Sequence, residues 1–329
     1  MIHLAVNSIK DLIFGLMGGS ALLMYGINLM GEGLEKAAGG VIKKVVRALT
    51  GKLWTSFLAG TLITAAVQSS TAVTVLTVGL VNADLMGFKQ AVGIIYGANI
   101  GTTITTQLMA FDITGLSLPA IGIGYILMTF SKNNVYKNLG QGILGFGMLF
   151  LGLRLINMGV PYLKRDALFN HFFRSCSGSI VISMLVGLLF TVIVQSSSAV
   201  MGITMILAGT GLIGLDGAIG LMLGSNIGTC ATAQVAAISG NIASKRTALA
   251  HTLYNLIGAA LTLLLIKPFI WIILYISPEM PIERLIANSH SVFNILSAVI
   301  FLPFTDLYVK LIEKIIPEQR QSYKSVSKT

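Results

Sequence analysis

The 329 residues are 54 % hydrophobic and only 10 % charged, with a mean hydropathy of +0.84, whereas an ordinary soluble domain carries about 25 % charged residues. That composition excludes a water-soluble globular domain and points to an all-α polytopic membrane protein. The net charge of +10 falls in short loops between apolar runs, which reads as topology-setting charge and not as a nucleic-acid surface.

Met1 to Lys10 has neither a basic start nor a cleavage site, so the first apolar run, 12–31, stays as a span flanked by Asp11 and Glu32. A charge at the centre of a bilayer helix costs about 2.5 to 3.5 kcal/mol, so charge-free intervals mark the spans. They run 12–31, 53–83, 90–111, 113–131, 138–153, 175–215, 217–244, 247–266 and 285–305. As one helix at 1.5 Å per residue, 53–83 would reach about 46 Å, too long for one crossing. Gln68-Ser69-Ser70 sits at its midpoint, and a re-entrant hairpin with that triplet at the tip fits better. Interval 175–215 repeats the pattern around Gln195-Ser196-Ser197-Ser198.

The mixed-charge linkers 32–52 and 161–178 read as interfacial amphipathic helices. Segment 267–284, with Pro268, Pro278 and Pro281, reads as an external loop around a short apolar stretch. Beyond Pro317 the polar sequence reads as a disordered tail. Asp11, Asp84, Asp112 and Asp216 mark span edges, and Arg154 snorkels from inside a span end. Cys176 and Cys230 have no CxxC or Cys/His spacing, so no disulfide framework or zinc site is expected.

Gly60–Ala110 laid over Gly187–Ala237, at a constant offset of 127 and without gaps, agrees at more than twenty of 51 positions. AVQSSTAV (66–73) matches IVQSSSAV (193–200), and GANIGTTIT (97–105) matches GSNIGTCAT (224–232). With 53–83 a hairpin, the first half makes three crossings, an odd number that inverts the second half. With the N-terminus outside and the C-terminus cytoplasmic, 15 of the 22 Lys and Arg fall inside and six outside, in line with the positive-inside rule. The expected organisation is a first repeat over 1–137, an inverted second repeat with extra spans over 138–316, and a tail over 317–329. Each repeat carries a QSS hairpin and a broken NIGT helix, the architecture of secondary transporters.

Where a helix starts inside the membrane, its first N–H groups are unpaired and its N-terminus is partly positive, so it holds an anion without a buried cation. Gln68, Ser69, Ser70 and Thr71, with Gln195, Ser196, Ser197 and Ser198, would add donors around a compact oxyanion. The competing reading is that these groups only join helices by hydrogen bonds; a duplicated, register-locked pair favours the ligand role. The glycine series Gly93-Gly97-Gly101 and Gly220-Gly224-Gly228 reads as a close-packing face. Asn99 with Thr102, and Asn226 with Thr229, mark unwound turns whose neutral oxygens suit Na⁺, helped by Gln68 and Gln195. His251 and Asn255 in HTLYN, and His290 and Asn294 in HSVFN, are supporting candidates. An intramembrane enzyme is disfavoured, because no carboxylate accompanies either histidine.

The paired QSST/QSSS tips, the paired NIGT segments and HTLYN/HSVFN closely resemble the type II sodium/phosphate cotransporter family in its bacterial form, through nearly all of 12–305. That resemblance implies sodium-driven phosphate uptake at a plasma membrane, with the QSS tips contributing to phosphate and sodium binding. Na⁺ is then the coupling ion, no other cofactor is implied, and phosphate, lipid and a possible second copy are the partners. Alternatives on the same scaffold are another small oxyanion, a carboxylate, or an anion channel. Thr71 stands where the fuller motif has Ser. Thr252 and Ser291 stand where animal members have an acidic residue. The expectation is a membrane domain without the PhoU-like domain into which many bacterial relatives continue.

Overall fold

The computed structural model describes residues 9–318 apart from positions 50, 112, 168, 170–172 and 174–177. Asp112, Arg174, Cys176 and the tail from 319 lie outside the described residues, as does the side chain of Asp11. Among the described residues every regular element is helical. The first helix, α1 (Ile9–Leu49), runs without interruption, so the interfacial helix expected at 32–52 is the continuation of the first span. No proline interrupts it, and Glu32 and Lys36, one turn apart, pair at 3.1 Å.

Four helices follow: α2 (Leu53–Val67), α3 (Ser70–Asn82), α4 (Phe88–Gly101) and α5 (Thr103–Met109). After α6 (Ser117–Phe130) and α7 (Asn134–Arg165), the set returns as α8 (Ile180–Val194), α9 (Ser197–Gly209), α10 (Leu215–Gly228) and α11 (Cys230–Ala237). Both ends of α8, α9 and α10 fall 127 residues after those of α2, α3 and α4. The chain closes with α12 (Ile242–Leu264), α13 (Ile266–Ile276), α14 (Ile282–Phe301) and α15 (Thr305–Ile315). The helix α13 replaces most of the loop expected at 267–284. Pro268 lies in its first turn, where a missing N–H is tolerated, and Pro278 and Pro281 lie beyond its end.

Among the described residues four stretches are long and apolar enough to cross a membrane: Leu12–Gly39, Asn134–Arg165, Ile242–Leu264 and Ile282–Phe301. By contrast α2 and α8, with 15 residues each, reach only about 22 Å, short of a hydrocarbon core of about 30 Å.

Glycine contacts fix the helix directions. Gly19, Gly26 and Gly33 of α1 meet backbone at Gly152, Gly145 and Gly142 of α7, so the two long helices run antiparallel. A Cβ at Gly26 would lie 2.4 Å from the Leu149 nitrogen, and one at Gly145 2.2 Å from that of Met30. Only glycine permits this approach. On α4, Gly93, Gly97 and Gly101 meet Leu53, Phe57 and Thr61 of α2 in that order, so α2 and α4 run parallel. Gly220, Gly224 and Gly228 of α10 do the same against Ile180, Met184 and Leu188 of α8.

Candidate functional site

Both QSS segments break the chain between two helices in the same way. Gln68 and Gln195 close α2 and α8 in the left-handed region, at φ 58° and 56°. The next residue, Ser69 or Ser196, is extended and caps the following helix, its Oγ accepting from the amide of Ala72 or Ala199, 3.2 Å in each case. A left-handed non-glycine residue costs about 1 to 2 kcal/mol, and glutamine is not a residue that favours it. Its appearance at both breaks marks the side chain as the reason for the residue. A cap bond occupies one lone pair of the serine oxygen and leaves its O–H free to donate. The first amides of α3 and α9, at Ser70, Thr71, Ser197 and Ser198, are the unpaired donors of a helix start.

The surroundings of the two breaks differ. Gln68 is buried, only 4 % exposed; its Nε2 donates to the Ala65 carbonyl, and its Oε1 accepts from Thr105 at 2.6 Å. Gly31 of α1 covers it: a Cβ there would sit 2.4 Å from the Val67 carbonyl oxygen. Gln195 is exposed. Helix α2 packs along α1, whereas among the described residues α8 makes no comparable contact with α7. A cleft of about 530 Å³ opens there instead, lined by apolar side chains that include Leu16, Ile156, Phe173, Leu189 and Ile193.

The NIGT segments interrupt their helices less than expected. Thr102 and Thr229 keep right-handed helical dihedrals, so the unwound turns read from the sequence are one-residue irregularities. Asn99 and Asn226 are buried, each tied through Nδ2 to the carbonyl four residues back, Ile95 or Met222, at 2.9 Å. Thr102 is buried, and Thr229 donates to the Ser225 carbonyl at 3.0 Å. The two halves interlock, because α3 packs on α11 and α9 packs on α5. Among the described residues no hydrogen bond joins one QSS break directly to the other.

The histidine motifs join these elements. His290 shares a hydrogen bond of 2.9 Å with Thr106 of α5, and Asn255 donates to Cys230 of α11 at 3.3 Å. The Oδ1 atoms of Asn255 and Asn294 are buried and unpartnered, each an acceptor worth about 1 to 3 kcal/mol if it found a donor or cation.

Sequence reasoning missed Gln107 and Gln234, which sit 127 positions apart. Gln107 donates to Ser291 at 2.9 Å and to Asn288 at 3.0 Å. Gln234 donates to Thr252 at 2.6 Å and to the Ala248 carbonyl at 3.1 Å. Each clasps the residue directly after a motif histidine. Their identity across the repeat was a signal, but nothing in sequence says what they touch.

The chain matches the Na⁺/Pi-cotransporter family over residues 22–158 and 165–277. It is 33 % identical over 308 residues to "Uncharacterized protein YqeW" of Bacillus subtilis, covering 92 % of this chain and 98 % of that protein. To "Putative inorganic phosphate export protein YjbB" of Salmonella typhimurium and of Escherichia coli K12 it is 30 % identical over 306 residues. That match covers 92 % of this chain but 56 % of those relatives, so the chain spans about half their length. No solved structure matches it significantly.

Proposed function

The chain belongs to the Na⁺/Pi-cotransporter family, and from that premise we propose that it carries inorganic phosphate across the plasma membrane by sodium-coupled symport with alternating access. The observation that carries the reading is the duplicated break: a left-handed glutamine followed by a serine cap, presenting hydroxyls and unpaired amides at a helix start. Phosphate is held by Gln68, Ser69, Ser70 and Thr71 with Gln195, Ser196, Ser197 and Ser198. Sodium is held by neutral oxygens of Gln68, Asn99 and Thr102 and of Gln195, Asn226 and Thr229. The unpartnered Asn255 and Asn294 carbonyls, with His251 and His290, support them.

Coupling follows from charge. A sodium ion about 5 Å from a phosphate charge contributes about 3 kcal/mol at an effective dielectric constant of about 20, enough for each ligand to raise the other's affinity about a hundredfold. The inverted arrangement is supported by the antiparallel α1 and α7. Helix α4 begins beside the start of α2 and runs parallel to it, so α3 must carry the chain back, which supports a hairpin at each QSS. We read the buried Gln68 and exposed Gln195 as one conformation of the cycle, sealed at the first break and open at the second.

The relatives from Salmonella and Escherichia coli carry phosphate export in their names. A symporter runs either way as its gradients dictate, so direction here is a property of the gradients. The test is radiolabelled phosphate flux in proteoliposomes of the full chain with inward, outward and absent sodium gradients, and with arsenate and sulfate as competitors. Flux that follows the sodium gradient in both directions supports the proposal, and flux indifferent to sodium overturns it. Cysteines placed near residues 43 and 164 should label from opposite faces; labelling from one face would require parallel repeats.

A further inference from the structure

Helix α15 is short, and its residues divide into strips around its circumference. Thr305, Tyr308 and Ile312, spaced three and four apart, are buried. Tyr308 donates its hydroxyl to the Ala250 carbonyl of α12 at 2.6 Å, and its ring stands against Phe301, with centroids 5.1 Å apart. A second apolar strip, Phe304, Leu307, Leu311 and Ile315, also follows helical spacing and is exposed, Leu307 by 69 %. It follows in the chain on the exposed residues Ile295, Leu296, Val299 and Ile300 of α14, a helix long and apolar enough to cross a membrane.

The charges of α15 are sorted with equal regularity. Asp306 pairs with Lys89 in the first turn of α4. Arg246 of α12 donates to the Ile316 carbonyl at 2.9 Å and lies 3.8 Å from Glu313 and 3.7 Å from Glu318. Each acidic group is thus paired with a cation at the end of α4 or α12. Lys310 and Lys314 are exposed beside the second apolar strip, and among the described residues neither has an ion-pair partner.

We propose that α15 is an interfacial strap that docks on anionic phospholipid, with Phe304, Leu307, Leu311 and Ile315 among the upper acyl chains and Lys310 and Lys314 at the headgroup phosphates. Two observations select lipid over a protein partner: the apolar strip follows directly in the chain on the exposed apolar residues of a membrane-length helix, and the free charge along its edge is positive. The strap does more than anchor the chain. Through Lys89 it holds the start of the helix bearing Asn99, and through Arg246 and Tyr308 it holds the helix bearing His251.

The test uses the full chain with Cys176→Ser, Cys230 being buried, reconstituted in phosphatidylcholine vesicles with or without phosphatidylglycerol. Nitroxide labels are placed at Leu307→Cys and Leu311→Cys, with Ile300→Cys as lipid reference and Asn134→Cys as aqueous reference. Both strap labels should collide with oxygen and be shielded from a water-soluble nickel chelate, at a depth shallower than Ile300. They should move outward when phosphatidylglycerol is omitted, and Lys310→Gln with Lys314→Gln should abolish that dependence. Nickel access equal to that at Asn134 would overturn the proposal. So would shielding from both reagents, which means cover by a second copy or another protein segment, or phosphatidylglycerol dependence that survives loss of both lysines.

Discussion

At Gln68 the chain turns beneath α1, and the amide oxygen takes the Thr105 hydroxyl; at Gln195, with nearly the same dihedrals, the side chain stands exposed beside an apolar cleft. The contrast separates two layers of control. Backbone shape at each break is encoded within a few residues, by a glutamine in the left-handed region and a serine cap. Accessibility is set from a distance, by whether a long helix comes close enough to cover the break. Gly31 allows α1 to do so, while Met158 stands 127 positions later on α7, and no glycine there faces α8.

The largest expected effect tests accessibility. In a Cys176→Ser background, a cysteine at Gln195 should react with a small thiol reagent about a hundredfold faster than one at Gln68, since reaching Gln68 needs an opening of about 2.7 kcal/mol. Equal rates would dissolve the contrast. Binding comes next. Ser69→Ala and Ser196→Ala each remove a hydroxyl from an anion and should weaken phosphate affinity about tenfold to a hundredfold, with about 1 kcal/mol lost from the cap. Unchanged affinity in both, by equilibrium binding, would mean the serines only cap helices.

A division of labour is tested by Asn99→Ala and Asn226→Ala. Uptake across a sodium series should show half-saturation rising about tenfold in each, with phosphate affinity at saturating sodium little changed. The reverse pattern would place the asparagines in the anion site. The smallest effect concerns strain: Gln195→Gly should leave stability unchanged or raise it by about 1 kcal/mol, because relief of the left-handed residue outweighs glycine's extra entropy. Gln68→Gly should instead lower stability by about 1 to 3 kcal/mol, because Thr105 loses its buried acceptor. Thermal unfolding in detergent distinguishes the two, and identical shifts would mean that the difference in burial has no energetic weight.

Much of this was legible in the chain. The repeat of Gly60–Ala110 at an offset of 127 was readable, and in the structure the ends of α8, α9 and α10 follow those of α2, α3 and α4 at the same offset, because capping and helix termination are local properties that travel with their sequence. Charge spacing failed at 32–52, where mixed charges were read as a surface helix. Helix continuity depends on the absence of a breaker, and polar residues do not stop α1. The NIGT turns read as unwound because glycine and asparagine permit it, yet packing against α2 and α8 keeps them helical. Contacts between distant elements were out of reach. Gln107 meeting Ser291, Gly31 covering Val67 and α3 lying on α11 depend on the assembled fold, and no spacing rule within a segment states them.

The glycine seam between α1 and α7 also has a history in time. Its two sides, centred near Gly26 and Gly145, are over a hundred residues apart, which at about 5 to 20 residues per second means about 6 to 24 seconds of synthesis. Throughout that interval α1 waits with its seam glycines unmatched while α2 to α6 are made, and the most closely packed pair of long helices is among the last contacts of the first half to form. A nascent chain stalled before residue 165 would hold its QSS break without the finished post that carries its cover.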